Sequence, residues 1–101
     1  MVVISKAIIK NFSSKHADAG CALEDWYAII STIECKNFNE LKNTFNSVDA
    51  VGNDRYVFNI KGNNYRLIAL IIFKARTVFI LFVGTHAEYD KIDAAKVVFR
   101  K

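Results

Sequence analysis

Proline is absent from the 101 residues, and that absence by itself excludes no function. The other gaps say more. Only two cysteines occur, Cys21 and Cys35, and no C-x-x-C spacing joins them. Two unpatterned thiols fit a reduced setting better than a structural disulfide, so their expected role is packing. With His16 and His86 they form no close ligand pair, so no zinc, no other metal and no cofactor is expected. Long apolar runs are missing too. LIALIIF and TVFILFV are separated by Lys74 and Arg76, and neither could span a bilayer as a helix. The start, MVVISKAIIK, has lysines inside its short apolar stretch and no small-residue cleavage site, so no signal peptide is expected. Repeats, low-complexity segments and an interdomain linker are also lacking. The expectation is a cytoplasmic protein, one domain over residues 1–101, with no membrane partner.

What is present supports a packed core. Hydrophobic residues make up 52% and aromatics 13%, enough to bury a core without staples. The formal net charge is +4, which favours anionic partners, nucleic acid first.

The apolar spacing predicts a short strand at 2–4 and a helix over 5–15, where Ile4, Ile8 and Phe12 recur every fourth position. Lys6 and Lys10 form a small basic stripe on another side of that helix. A second helix is expected over 18–34, with Asp18 as its N-cap and Trp26 and Tyr27 in the core. A third, over 39–45, would be capped by Asn39. Residues 47–54 read as a connection with turn chemistry. Strands follow at 55–60, 65–73 and 77–83, the last two apolar on both faces and so central in a covered sheet. Gly62-Asn63 marks a tight hairpin turn, and Lys74-Ala75-Arg76 a three-residue turn. Thr85-x-x-Glu88 is a capping box that opens a final helix. The class expected is α+β: N-terminal helices on a mostly antiparallel four-stranded sheet, with a C-terminal helix.

Turn lengths convert these elements into a site. A two-residue turn at 62–63 sets Asn59 opposite Arg66, and a three-residue turn at 74–76 brings Arg66 near Gly84. Lys61 and His86 lie just past that row. Lys61, Arg66, His86, Tyr89 and Asp90 are therefore expected at one end of the sheet. Each has a bland reading: His86 as a packed or capping-region histidine, Arg66 paired to a carboxylate, Tyr89 as half-buried packing, Lys61 as a solvated edge. Their convergence is what favours a site. The chemistry that suits them is RNA cleavage by the ribose 2′-hydroxyl. Histidine transfers protons near neutral pH, and arginine offers a planar fork to a phosphate.

The stretches VGNDRYVFNIKGNNYRLIALI and VFILFVGTHAEYDKID, together with the N-terminal helices, resemble the HigB-type toxins of the RelE superfamily, over residues 1–93. The resemblance implies a small α+β fold and cleavage of mRNA, typically within a translating ribosome. It implies a cognate HigA-like helix-turn-helix antitoxin as partner. It also implies Arg66, His86 and Tyr89 as the main site positions, with Asp90 and Lys61 as further carry-overs. Asn59, Asn64, Lys61, Lys91, Lys6 and Lys10 are the expected RNA contacts. The chain departs from the family pattern at His16-Ala17-Asp18, which replaces a proline-containing turn, and in the tail AKVVFRK. The competing expectations are a non-nuclease toxin of ParE-like type and an inert antitoxin-binding domain.

Overall fold

A computed structural model describes residues 1–62 and 64–96. Asn63, half of the expected hairpin turn, and residues 97–101 of the tail lie outside the described residues. The chain runs β1 (Val2–Ile4), α1 (Lys6–Lys15), α2 (Ala17–Thr32), α3 (Phe38–Thr44), β2 (Asp49–Gly52), β3 (Arg55–Ile60), β4 (Tyr65–Ile72), β5 (Thr77–Thr85) and α4 (His86–Asp90). The α+β class is as expected, but the sheet is larger. It has five strands in the order β1-β5-β4-β3-β2, mixed because β1 runs parallel to β5. The extra strand is β2, expected to be a plain connection. Asp49 and Ala50 pair with Val57 and Tyr56, and the register shifts before Gly52 meets Arg55. Four residues with polar neighbours carry too weak an alternation to be read as a strand. Backbone pairing with β3 supplies what the pattern lacks.

The helix boundaries also moved. Between α1 and α2, His16 takes a non-helical backbone conformation, φ −133° and ψ 76°, and caps nothing with its side chain. Asp18 lies inside the first turn of α2 rather than before it. Asn37, two residues ahead of the expected Asn39, caps α3 by accepting from the Glu40 amide at 3.0 Å.

Strand alternation sorts the core into two layers. Phe58, Ile60, Tyr65, Leu67, Ala69, Val78 and Ile80 face the helices, where Ile9 of α1 and Leu23, Trp26 and Ile30 of α2 meet them. Val57, Ile68 and Leu81 face the other way and are covered by Tyr89, Ile92 and Ala94. Leu67 and Ile68, adjacent and fully buried on opposite faces, confirm β4 as a covered central strand. Each is worth about 1.5–3 kcal/mol of burial.

The β4–β5 connection differs from the expected three-residue turn. β4 stops at Ile72, and Phe73–Ala75 form a 3₁₀ turn closed by Arg76 at φ 52°. Ile72 then opposes Thr77, which by simple counting would set Arg66 against Val83. A bulge intervenes: Ala69 opposes Ile80 while Ile68 opposes Phe82, leaving Leu81 as the extra residue. The bulge restores Arg66 to Gly84.

Candidate active site

The row Asn59–Arg66–Gly84 crosses β3, β4 and β5 at one end of the sheet. Immediately beyond it the chain turns into α4. The capping box forms in full: the Glu88 amide donates to Thr85 Oγ1 at 3.2 Å, and the Thr85 amide donates to Glu88 Oε1 at 2.9 Å. That amide holds the Glu88 carboxyl below its ordinary value. The His86 amide donates to the Asn64 carbonyl at 3.3 Å, fastening α4 to the β3–β4 loop. Gly84 permits the close approach. A Cβ there would collide with the Phe82 ring and lie 3.2 Å from the Glu88 Cβ.

On this scaffold His86 and Asp90 sit one helical turn apart, with Nδ1 3.1 Å from Oδ2. Both side chains are more than half exposed. An ionised carboxylate only accepts, so this contact puts the imidazole hydrogen on Nδ1 and leaves Nε2 as the basic nitrogen of the neutral ring. The Arg66 Cζ stands 5.7 Å from the centre of the Tyr89 ring, a cation–π distance. Its Nη1 donates to the Tyr65 carbonyl at 3.4 Å. Tyr89 packs on the second face of the sheet, the face that alternation also assigns to Arg66. One end of the sheet thus carries a guanidinium, a phenol and a carboxylate-oriented imidazole.

The remaining expected residues divide. Asn59 is half-buried beside Arg66, while Asn64 and Lys91 are exposed around the start and end of α4. Lys61 lies at the same end of the sheet but reaches Asp18 of α2, 3.2 Å away. Lys6 stands over the Tyr27 ring at 4.2 Å and 3.9 Å from Glu24. Lys6 and Lys10 belong to α1, which packs on the helix-side layer, so neither shares a face with Arg66. Among the described residues, no three His, Cys, Asp or Glu side chains gather as metal ligands would.

Sequence reasoning missed one connection. The Tyr65 hydroxyl lies 2.8 Å from each Asp18 oxygen. This bond first, and Lys61 second, hold the Asp18 carboxyl below its ordinary value, and the same bond raises the Tyr65 hydroxyl. Alternation does put Tyr65 on the helix side. No local signal says that the start of α2 would be waiting there.

These features define an α+β protein whose sheet ends in a polar edge suited to phosphate binding and proton transfer. The profile of the HigB toxin family, described as the RelE-like toxic component of a toxin–antitoxin system, matches residues 19–92. The chain is 33% identical over 94 residues to the mRNA interferase HigB of Escherichia coli O6:H1 strain CFT073, covering 91% of each. It is 30% identical over 92 residues to the mRNA interferase toxin HigB of Escherichia coli K12, covering 89% of this chain and 88% of that one. The chain belongs to the HigB toxin family. No helix among the described residues is long and apolar enough to cross a membrane.

Proposed function

We propose that this chain is the toxin of a type II toxin–antitoxin pair, a cytoplasmic, ribosome-associated endonuclease that cuts mRNA by 2′-hydroxyl attack without a metal ion. One observation carries the reading: the β4 residue Arg66 stands beside Tyr89 at the sheet end where His86 and Asp90 pair. Relatives of matching length named as mRNA interferases support it, as does the net charge of +4.

Arg66 binds the non-bridging oxygens of the scissile phosphate through its fork. A base removes the 2′-OH proton, the 2′-oxygen attacks phosphorus, and the bond to the 5′-oxygen breaks. An acid returns a proton to that leaving oxygen. His86, with Nε2 free to react and Nδ1 held by Asp90, makes one of these transfers. Tyr89 orients the 2′-OH or assists as the acid. Asn59, Asn64 and Lys91 line the path of the strand. Lys61 joins them only by leaving Asp18. Lys6 and Lys10, on the opposite face of the sheet, do not hold the scissile phosphate. A HigA-like helix-turn-helix protein is the partner that silences the chain, and residues 1–101 act as a single domain.

Mapping mRNA 5′ ends after expression tests the reading. New ends should appear with the native chain and vanish with His86→Ala or Arg66→Ala. Cleavage and growth arrest unchanged in the double variant would remove the site. DNA damage without mRNA cuts would point to the ParE-like alternative. In purified translation reactions, cleavage should persist when trace transition metals are chelated.

A further inference from the structure

Three consecutive residues where the β3–β4 loop enters β4 hold three different parts of the molecule. The Asn64 carbonyl accepts from the His86 amide. The Tyr65 hydroxyl donates to Asp18 at 2.8 Å. Arg66 turns to the other face of the sheet and stands beside Tyr89. Tyr65 therefore sits between the group proposed to bind phosphate and the backbone contact that fastens the helix carrying His86.

Asp18 grips this region twice. It accepts from Tyr65 on one side of the β3–β4 loop and from Lys61, at 3.2 Å, on the other. Within that loop Lys61 takes a positive φ of 52°, a conformation that L side chains rarely adopt. The Tyr65 ring is buried, edge-on to Phe12 at 5.5 Å and to His16 at 5.7 Å. The Asp18 and Lys61 side chains, in contrast, are 51% and 44% exposed. An ion pair so exposed adds little to stability. The larger consequence of the Asp18 contacts is orientation.

We propose that Asp18 and Tyr65 are positioning residues: their hydrogen bond clamps the β3–β4 hairpin to α2 and so sets Arg66 and His86 at the separation that RNA cleavage requires. The clamp touches neither substrate nor the reacting atoms, and the proposal rests on the nuclease reading above. A displacement of about 1 Å at a reacting group can cost on the order of 10²-fold in rate, so a hold outside the site is enough to govern turnover.

The test uses the full chain, on ribosomes programmed with a defined mRNA, with kcat, KM and melting temperature measured for each variant. Tyr65→Phe keeps the buried ring and loses only the hydroxyl. Asp18→Ala removes the acceptor from an exposed position. Each should lower kcat roughly tenfold while KM changes by less than about twofold. The double variant should be no worse than Asp18→Ala alone, because without Asp18 the Tyr65 hydroxyl has lost that acceptor already. The melting temperature of Tyr65→Phe should fall only slightly, since the Asp18 end of the bond is exposed. If Tyr65→Phe keeps native kcat while Arg66→Ala abolishes cleavage, the clamp is structural and the proposal falls alone. Losses that add in the double variant would also overturn it. If the native chain leaves the mRNA uncut, or Arg66→Ala cuts as well as native, the nuclease reading itself fails and takes the clamp with it.

Discussion

His86 Nδ1 lies 3.1 Å from Asp90 Oδ2, and both side chains remain open to solvent on α4. The contact ties the proton location on the ring to a neighbouring carboxylate. Replacing His86 by alanine should lower the cleavage rate by about 10²- to 10⁴-fold, the usual worth of a general acid or base. Asp90→Asn should cost less, because the ring and its basic nitrogen survive while the acceptor-only partner does not. Rates from the same programmed ribosomes would rank the two. An Asp90→Asn enzyme slower than His86→Ala would assign the chemistry to Asp90 instead.

Arg66 tests fork geometry against charge. Lysine at this position preserves the charge but offers no planar pair of donors. Losing a charge-assisted hydrogen bond is worth about 1.5–3 kcal/mol. Arg66→Lys should therefore drop kcat/KM by roughly 10- to 100-fold, a conversion at 1.4 kcal/mol per tenfold. Native activity in the lysine variant would mean that a point charge suffices.

The capping box can be weighed separately from chemistry. Thr85→Ala leaves the Glu88 amide without its side-chain acceptor, at a cost of about 0.5–2 kcal/mol. For a chain of this size, at roughly 4–8 °C per kcal/mol, that is a fall of about 2–16 °C. Thermal unfolding would show it. Activity should fall as well, since the same cap sets the start of the helix that carries His86.

Acid should loosen the same end of the molecule. Asp18 and Glu88 are both held below their ordinary values, by Tyr65 and by the Thr85 amide respectively. A carboxyl depressed in the folded state binds fewer protons there than in the unfolded chain. Its stabilisation is therefore present above the unfolded value, about 4, and is lost as pH falls through the folded value. The melting temperature should decline below about pH 4. A variant carrying Asp18→Asn and Glu88→Gln should show a flatter decline, and an unchanged slope would mean that other carboxylates control the acid limb.

Much of the geometry of the candidate site is legible in the sequence. Thr85 and Glu88 announce their cap through spacing alone, because both hydrogen bonds close within one turn. The pairing of Asn59 with Arg66 follows from the length of the 61–64 loop. The pairing of Arg66 with Gly84 agrees with turn counting only because two departures cancel. The turn is one residue longer than expected, and the bulge at Leu81 supplies the compensating residue. Turn length can be judged from a few residues. A bulge in an apolar strand leaves no mark in the spacing.

The sequence by itself determined the helices, the three long strands and the residue types at the end of the sheet. Those follow from periodicity and from hydrogen bonds that close within a few positions. Only the tertiary structure decided that β2 is a strand, that β1 lies parallel to β5, and that Lys61 turns to Asp18 rather than joining Arg66. It alone decided the contact of Tyr65 with Asp18, which joins residues 47 positions apart. Such choices depend on which surfaces meet once the core has closed, and a local pattern holds no record of its distant partner.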